Sequence, residues 1–352
     1  MATPGLRARP TAFAFHRRNH SMSTCWENVM NADIAKTADY GPTADDFPVE
    51  PPSARSLDID GWTKAAIRQT ETALDRLLPP DDAPPSDLHA AMRYAVFGGG
   101  KRLRPLLCHA AGELVDASRD VLAPVSAAIE MIHVFSLIQD DLPAMDNDDT
   151  RHGKPSLHTK YDVATALLAC DGLISQAFLT LSEIPLPTDG RVALAHELAS
   201  SIGSSGLTGG QYIDLTSVGT HLNREELERM HRMKTGALIR ASVRMGVLCG
   251  SGCRTESSAA WNAMGEYGNL LGLAYQVVDD ILDSTSDLST LGKTAGKDAQ
   301  VNKPTYVTML GLDASRAWAH WLADEALAAL APFNAKADFL REMIGRVVRR
   351  LS

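Results

Sequence analysis

The stretch Val121-Leu-Ala-Pro-Val-Ser-Ala-Ala-Ile-Glu-Met-Ile-His-Val-Phe-Ser-Leu-Ile-Gln139 is apolar nearly all round, interrupted by Ser126, Glu130, His133 and Ser136. A helix without a polar face has no side to turn to water, so it sits in the middle of a bundle. It runs directly into Asp140-Asp141-Leu-Pro-Ala-Met-Asp146-Asn-Asp148-Asp149, which packs five carboxylates into ten residues. Such charges repel one another unless cations lie between them. A helix made for the core thus ends in a turn made for cations.

Further helical stretches flank this one at Leu57–Leu78, Ser86–Ala95, Val163–Leu181, Arg191–Ser201, Arg224–Cys249, Ser257–Asp283 and Ala314–Leu330. Pro79-Pro80 ends the first, and Ser86 reads as the N-cap of the second. Helix after helix with short links predicts an all-α fold, one large bundle rather than two domains. Composition agrees. Aromatics are only 6% of the 352 residues, while the helix-forming Ala and Leu are plentiful. Residues 1–56 differ: they hold six of the 18 prolines and show no helical period. They read as a disordered extension ahead of a helical domain at 57–352. Their first 26 residues carry Arg7, Arg9, Arg17 and Arg18 and no acid, so an organelle transit peptide, or a start upstream of a true Met22, are the alternatives.

The net charge is −9, from 34 basic and 43 acidic residues, which argues against a nucleic-acid binder. No run of about 18 uninterrupted apolar residues occurs, so no membrane-spanning helix is expected. The five cysteines are odd in number and form no CxxC pair, which points to a reducing, cytoplasmic location.

Two more motifs carry chemistry. Gly98-Gly-Gly-Lys101-Arg102-Leu-Arg104-Pro105 frees the backbone to approach a ligand and follows it with a point charge and bidentate forks suited to diphosphate. The same pattern also occurs on solvated surfaces. Asp279-Asp280-Ile-Leu-Asp283 places Asp279 and Asp283 about 40° apart on a helical wheel, on one face. Asp140 and Asp146, by contrast, lie about 240° apart on a regular helix, so Pro143 must break it to bring them together. Clustered carboxylates beside an apolar core favour Mg²⁺, held by few carboxylates plus water and substrate phosphate. Two aspartate clusters and a basic loop around an apolar tunnel describe a site for a diphosphate head with a hydrocarbon tail.

At these residues the chain resembles the trans-isoprenyl diphosphate synthases, and most the bacterial type of farnesyl diphosphate synthase. The resemblance runs from about Leu57 to Ser352 through GGGKRLRP, IQDDLPAMDNDDTRHGKPSLH, GLTGGQYIDL, MKTGALIRAS, YQVVDDILD and LGKTAGKDAQVNKPTY. It implies an isoprenoid-synthase-type helical bundle with a central cavity, as a homodimer. It implies that Asp140, Asp141 and Asp146 hold two Mg²⁺ ions and Asp279 a third, with Asp280 and Asp283 shaping the second site. Arg151, Lys234, Lys293 and Lys303 would neutralise the allylic diphosphate. Isopentenyl diphosphate would bind Lys101, Arg104 and His133, with His152 and Gln211 as further substrate contacts. Thr235 and Gln276 would offer oxygen dipoles to an allylic cation during ionisation, condensation and elimination.

Product length is read at Phe135 and Ser136. Phe135 stands five residues before the first motif, about 7.5 Å down the helix. In the family an aromatic there, with the Pro143-Ala144 insertion, goes with a C15 product, and C20 is the runner-up. The chain departs from the family at His152, where a second arginine is usual, and at Cys170-Asp171-Gly172, where Gly-Asp-Ala is usual. His152 keeps hydrogen-bonding capacity but little charge near neutral pH. Three other classes share parts of this pattern. A terpene cyclase would mix Asn, Ser and Glu into its second motif, a head-to-head synthase would lack the basic loop, and an inactive regulatory paralogue would tend to lose motif carboxylates.

Overall fold

The computed structural model describes residues 58–250, 258–285 and 304–351. Helices α1 (Ile59–Leu77), α2 (Ser86–Val96), α3 (Leu103–Glu113) and α4 (Arg119–Asp141) lead into a hairpin of β1 (Thr150–Arg151) and β2 (Lys154–Pro155). There follow α5 (Leu157–Lys160), α6 (Val163–Glu183), α7 (Thr188–Ile202), α8 (Leu207–Thr216) and α9 (Arg224–His231). A π turn, Arg232–Gly236, joins α9 to α10 (Ala237–Leu248). Then come α11 (Ala259–Thr285), α12 (Tyr306–Leu310), α13 (Leu312–Ala329), a 3₁₀ turn at Ala335–Ala337 and α14 (Asp338–Arg349). The all-α expectation holds: the two-residue strands, paired antiparallel with Thr150 opposite Pro155, are the only sheet among the described residues. The expected sites Lys293 and Lys303, and the 1–56 extension, lie outside them.

Helix α4 is the central one, as its sequence demands. It packs against α1, α3, α6 and α10, and α10 in turn carries α11 and through it α13. Ala127, Ala128, Ile129, Met131 and Ile132 are fully buried on α4. Three of its four polar interruptions are hydrogen-bonded. Glu130 accepts from Arg102 Nη1 at 2.8 Å, with both side chains 3% exposed. His133 meets Arg104, and the Ser136 hydroxyl donates to the His133 carbonyl at 2.8 Å. Ser126 Oγ is buried with no partner among the described residues.

By length and composition α4 and α6 would each suffice to cross a membrane. Counting uninterrupted runs misses them, because single polar residues punctuate both. Other helices enclose α4. Helix α6 instead exposes Val163, Leu167, Leu168 and Leu179.

Three expectations change. Ser86 does not cap α2: Pro85 holds the cap position, and no side chain bonds the first turn. The predicted helix 224–249 is three pieces, because five residues wind as a π turn, a feature that gathers at functional sites. Helices α3, α5, α8, α12 and α14 lie outside the expected helical stretches. Helix α3 starts without any side-chain cap, behind Arg102 in the left-handed region at φ 51°.

Two consequences for stability follow. Glu130→Ala leaves the buried Arg102 guanidinium with only the exposed Glu71 carboxylate at 3.6 Å and should cost about 3 kcal/mol in urea unfolding; a loss under about 1 kcal/mol would show the pair to be dispensable. The second concerns acid. Burial, and then the Arg119 charge, hold the His109 imidazole down to about 4, and burial holds His231 down to about 3. Both regain an ordinary value near 6.5 on unfolding, so the unfolded chain binds more protons between pH 6.5 and 4. Stability is therefore full above pH 6.5 and falls as pH drops towards 4, with His109 contributing about 3 kcal/mol. His109→Gln should flatten the drop in urea midpoint between pH 7.5 and 5, and an unchanged slope would contradict the assignment.

Candidate active site

The basic loop is built by two backbone features. Gly99 and Gly100 have φ of 123° and 110°, conformations that glycine adopts without strain. Arg102 then turns inward. Besides Glu130 it donates to the carbonyls of Gly99 (3.1 Å) and Val96 (2.8 Å), tying the loop to α2 and to the central helix. All three cations of the motif line a cavity of about 1070 Å³, but Arg102 is engaged by Glu130 and the loop carbonyls, which leaves Lys101 and Arg104 to meet a ligand.

His133, from α4, lines the same cavity, and its Nε2 accepts from Arg104 Nη1 at 3.1 Å. Burial, and then the Arg104 charge beside it, push the His133 imidazole well below its ordinary value. It is therefore the neutral partner of that contact. His152 and Lys154 come to the cavity from the β-hairpin, whose turn residues His152 (φ 52°) and Gly153 (φ 75°) are both left-handed. This two-residue geometry suits the twist of a tight hairpin. It sets the His152 ring against the Gly99-Gly100 backbone, since a Cβ on Gly100 would lie 3.7 Å from His152 Nε2.

The acidic motif folds as the proline required. Helix α4 stops at Asp141, and the backbone N–H of Asp146 donates to the Asp140 carbonyl at 2.9 Å. Burial, reinforced by Asp146 and Asp141 and opposed by Lys234 and Arg151, pushes the Asp140 carboxyl up to about 6. Asp141 lines the cavity and receives Arg151, whose Nε donates to both its oxygens at 3.1 Å. Asp148 lies 3.9 Å from the same guanidinium.

The π turn presents Lys234 and Thr235. Lys234 Nζ donates to Asp214 Oδ2 of α8 at 2.6 Å. The close approach of α8 requires Gly210, where a Cβ would fall 2.2 Å from the Lys234 nitrogen. Thr235 donates to Gln276 at 3.4 Å, and Gln276 donates to Asp280 at 2.9 Å. Asp280 is buried and also accepts from the Tyr306 N–H at 2.9 Å, so it anchors α12 and orients Gln276. Asp279 and Asp283 line the cavity, as the i, i+4 spacing predicted, and Asp280 does not. Asp214 escaped the sequence reading. Its place in GLTGGQYIDL, three residues past Gln211, was the available signal.

Several of the expected residues carry unmet polar atoms. Arg104 Nε, His133 Nδ1 and both polar atoms of Gln211 are buried without a hydrogen-bond partner among the described residues. Buried groups are ordinarily satisfied, so such a set marks a place where a polar ligand completes the structure. Phe135 is 4% exposed and lies outside the lining of this cavity; its carbonyl accepts from the Cys170 thiol of α6 at 3.7 Å.

Known proteins resemble the chain in sequence and in fold. The family model described as Polyprenyl synthetase matches residues 85–330. A probable farnesyl diphosphate synthase of Sinorhizobium fredii is 48% identical over 285 residues, covering 81% of this chain and 86% of its own length. The farnesyl diphosphate synthase of Escherichia coli is 42% identical over 273 residues, 77% of this chain and 90% of its own. The crystal structure of a Helicobacter pylori geranyltransferase complexed with magnesium and isoprenyl diphosphate superimposes with a TM-score of 0.72 at 32% identity, covering 85% of this chain and 99% of that one. The chain belongs to the polyprenyl synthetase family.

Proposed function

We propose that the protein is a farnesyl diphosphate synthase, joining isopentenyl diphosphate to dimethylallyl and then geranyl diphosphate. The observation that carries this reading is the meeting of Lys101, Arg104 and His133 with Asp141, Asp279 and Asp283 around one cavity. The farnesyl diphosphate synthases among its relatives match most of the chain.

Mg²⁺ fits the residues present. The donors of both motifs are carboxylate oxygens, and a divalent cation would offset the burial and the neighbouring Asp146 and Asp141 charges that lift the Asp140 carboxyl to about 6. No three carboxylates form a ready cage among the described residues. Mg²⁺ is commonly held by one or two carboxylates together with waters and substrate phosphate. Asp140, Asp141 and Asp146 would hold it on one side and Asp279 and Asp283 on the other, about three ions in all. When bound, Mg²⁺ supplies positive charge to the departing diphosphate.

The chain's own residues do the rest. Lys234 and Arg151, with Lys293 and Lys303, neutralise the allylic diphosphate as its bond to carbon breaks. Gln211 offers its unmatched amide to substrate. Thr235 and Gln276 turn oxygen dipoles towards the cation. Lys101 and Arg104 hold isopentenyl diphosphate so that its double bond meets that cation, with His133 keeping Arg104 in place and His152 contacting the same substrate. No side-chain base is required, because the diphosphate leaving group takes the proton.

The exposed apolar face of α6, with Val163, Leu167, Leu168 and Leu179, is the surface that a homodimer would bury. The described cysteines Cys108, Cys170 and Cys249 are unpaired and buried, which suits a cytoplasmic enzyme. Residues 1–56 are an extension to the synthase domain at 57–352.

Two experiments test the reading. Asp140→Asn should lower kcat by at least about a hundredfold with Mg²⁺ present, in line with losing one electrostatic element of a preorganised site; full activity would exclude this carboxylate from the reaction. Phe135 and Ser136 are assigned to product length, Phe135 through its burial beside α6. Phe135→Ala should move the product from C15 to C20 or longer by mass spectrometry, and an unchanged C15 product would reject the role.

A further inference from the structure

The carboxylates of the site already hold cations of the chain's own. Arg151 sits on Asp141 and Lys234 on Asp214. A third such pair involves a residue outside every motif. Arg350 Nη1 lies 2.8 Å from Asp279 Oδ1, the first carboxylate of the second motif. The same guanidinium stands 5.5 Å from the centre of the Tyr275 ring, one turn earlier on α11. Arg350 follows the last turn of α14, and Met343, Arg346 and Val347 of that helix line the cavity with it. The other end of α14 is firmly held. Phe339 packs on Trp62 of α1 with ring centroids 4.0 Å apart, and the Tyr267 hydroxyl donates to the Leu340 carbonyl at 2.8 Å.

We propose that Arg350 is a placeholder cation for the second aspartate motif, occupying Asp279 until a divalent metal ion displaces it. Both cations need the same oxygen. A guanidinium in contact with Asp279 Oδ1 blocks that oxygen from a cation's inner shell, so the two compete. The exchange is easy. Both side chains are about one third exposed (32% and 33%), and ion pairs of that kind hold weakly. Tyr275 gives the guanidinium a resting face, which keeps it at the rim. The arrangement has a use. It balances the carboxylate without metal, and it makes substrate-free enzyme bind metal weakly at this motif. Metal loading there also frees a guanidinium in the cavity that Lys101 and Arg104 line. Arg350 is a positioning residue here, acting through Asp279.

The proposal rests on Asp279 being a metal ligand, and the experiment separates the two claims. Mn²⁺ binding to substrate-free enzyme is measured by electron paramagnetic resonance for wild type, Arg350→Gln, Arg350→Lys, Asp279→Asn and the Arg350→Gln/Asp279→Asn double variant. Arg350→Gln should bind Mn²⁺ about two- to fivefold more tightly than wild type, the range of a partly exposed ion pair. Arg350→Lys should stay close to wild type. The gain should vanish in the double variant. Asp279→Asn that binds Mn²⁺ like wild type would overturn the ligand assignment. Asp279→Asn that binds less, together with Arg350→Gln that binds no more tightly than wild type, would overturn the placeholder alone. Should Arg350→Gln fail to fold, Tyr275→Leu serves in its place, with the same expected gain and the same contradiction.

Discussion

The buried ion pair between Arg102 and Glu130 is the constraint on which the site depends. Glu130 is an acid in the middle of the most enclosed helix of the bundle, and its burial is tolerable because Arg102 reaches it at 2.8 Å. That contact takes Arg102 into the left-handed region, at a cost of about 1–2 kcal/mol for a residue other than glycine. The return is positional. One guanidinium joins the carbonyls of Val96 and Gly99 to the central helix, and so fixes the loop that carries Lys101 and the helix that carries Arg104. Arg104 then stands within 3.1 Å of His133, one turn beyond Glu130 on α4. The basic half of the cavity is a consequence of an ion pair buried in its wall.

The acidic half is organised by the opposite problem, too many like charges near one another. The chain meets it with its own cations: Arg151 on Asp141, Lys234 on Asp214 and Arg350 on Asp279. Asp280 is absorbed into the fold by Gln276 and the Tyr306 N–H. Asp140 is left with a carboxyl lifted to about 6 by burial and by Asp146 and Asp141. This is a site prepared for added positive charge rather than a finished cage. The eight aspartates of the two motifs thereby account for much of the net charge of −9.

How much of this was legible in the sequence depends on the range of the interaction. The core helix was readable because its apolar face is a property of the segment itself. So was the shared face of Asp279 and Asp283, which follows from helical spacing. The return of Asp146 towards Asp140 followed from Pro143, another local effect. The division of labour between Arg102 and Arg104 was not readable. Both sit in one basic run, and only the distant Glu130 decides which turns inward. The π turn at Arg232–Gly236 was hidden for a similar reason: Gly210 of α8 presses against Lys234 from more than 20 residues away in the chain. Helix α3 begins with no capping side chain, so no start signal existed, and α14 lacks one as well. Asp214 is a single acid in an uncharged motif, and only its contact with Lys234 reveals its part.

The central claim is that the cavity receives two diphosphates at opposite ends, one on the aspartates and one on the basic loop. A crystal structure with Mg²⁺, isopentenyl diphosphate and an unreactive thio analogue of dimethylallyl diphosphate tests it most directly. The account predicts the analogue's diphosphate on the metal side, between Asp140 and Asp279, and that of isopentenyl diphosphate on Lys101 and Arg104. Both diphosphates on the aspartate side, with Arg104 still bonded to His133 and to no ligand, would contradict it.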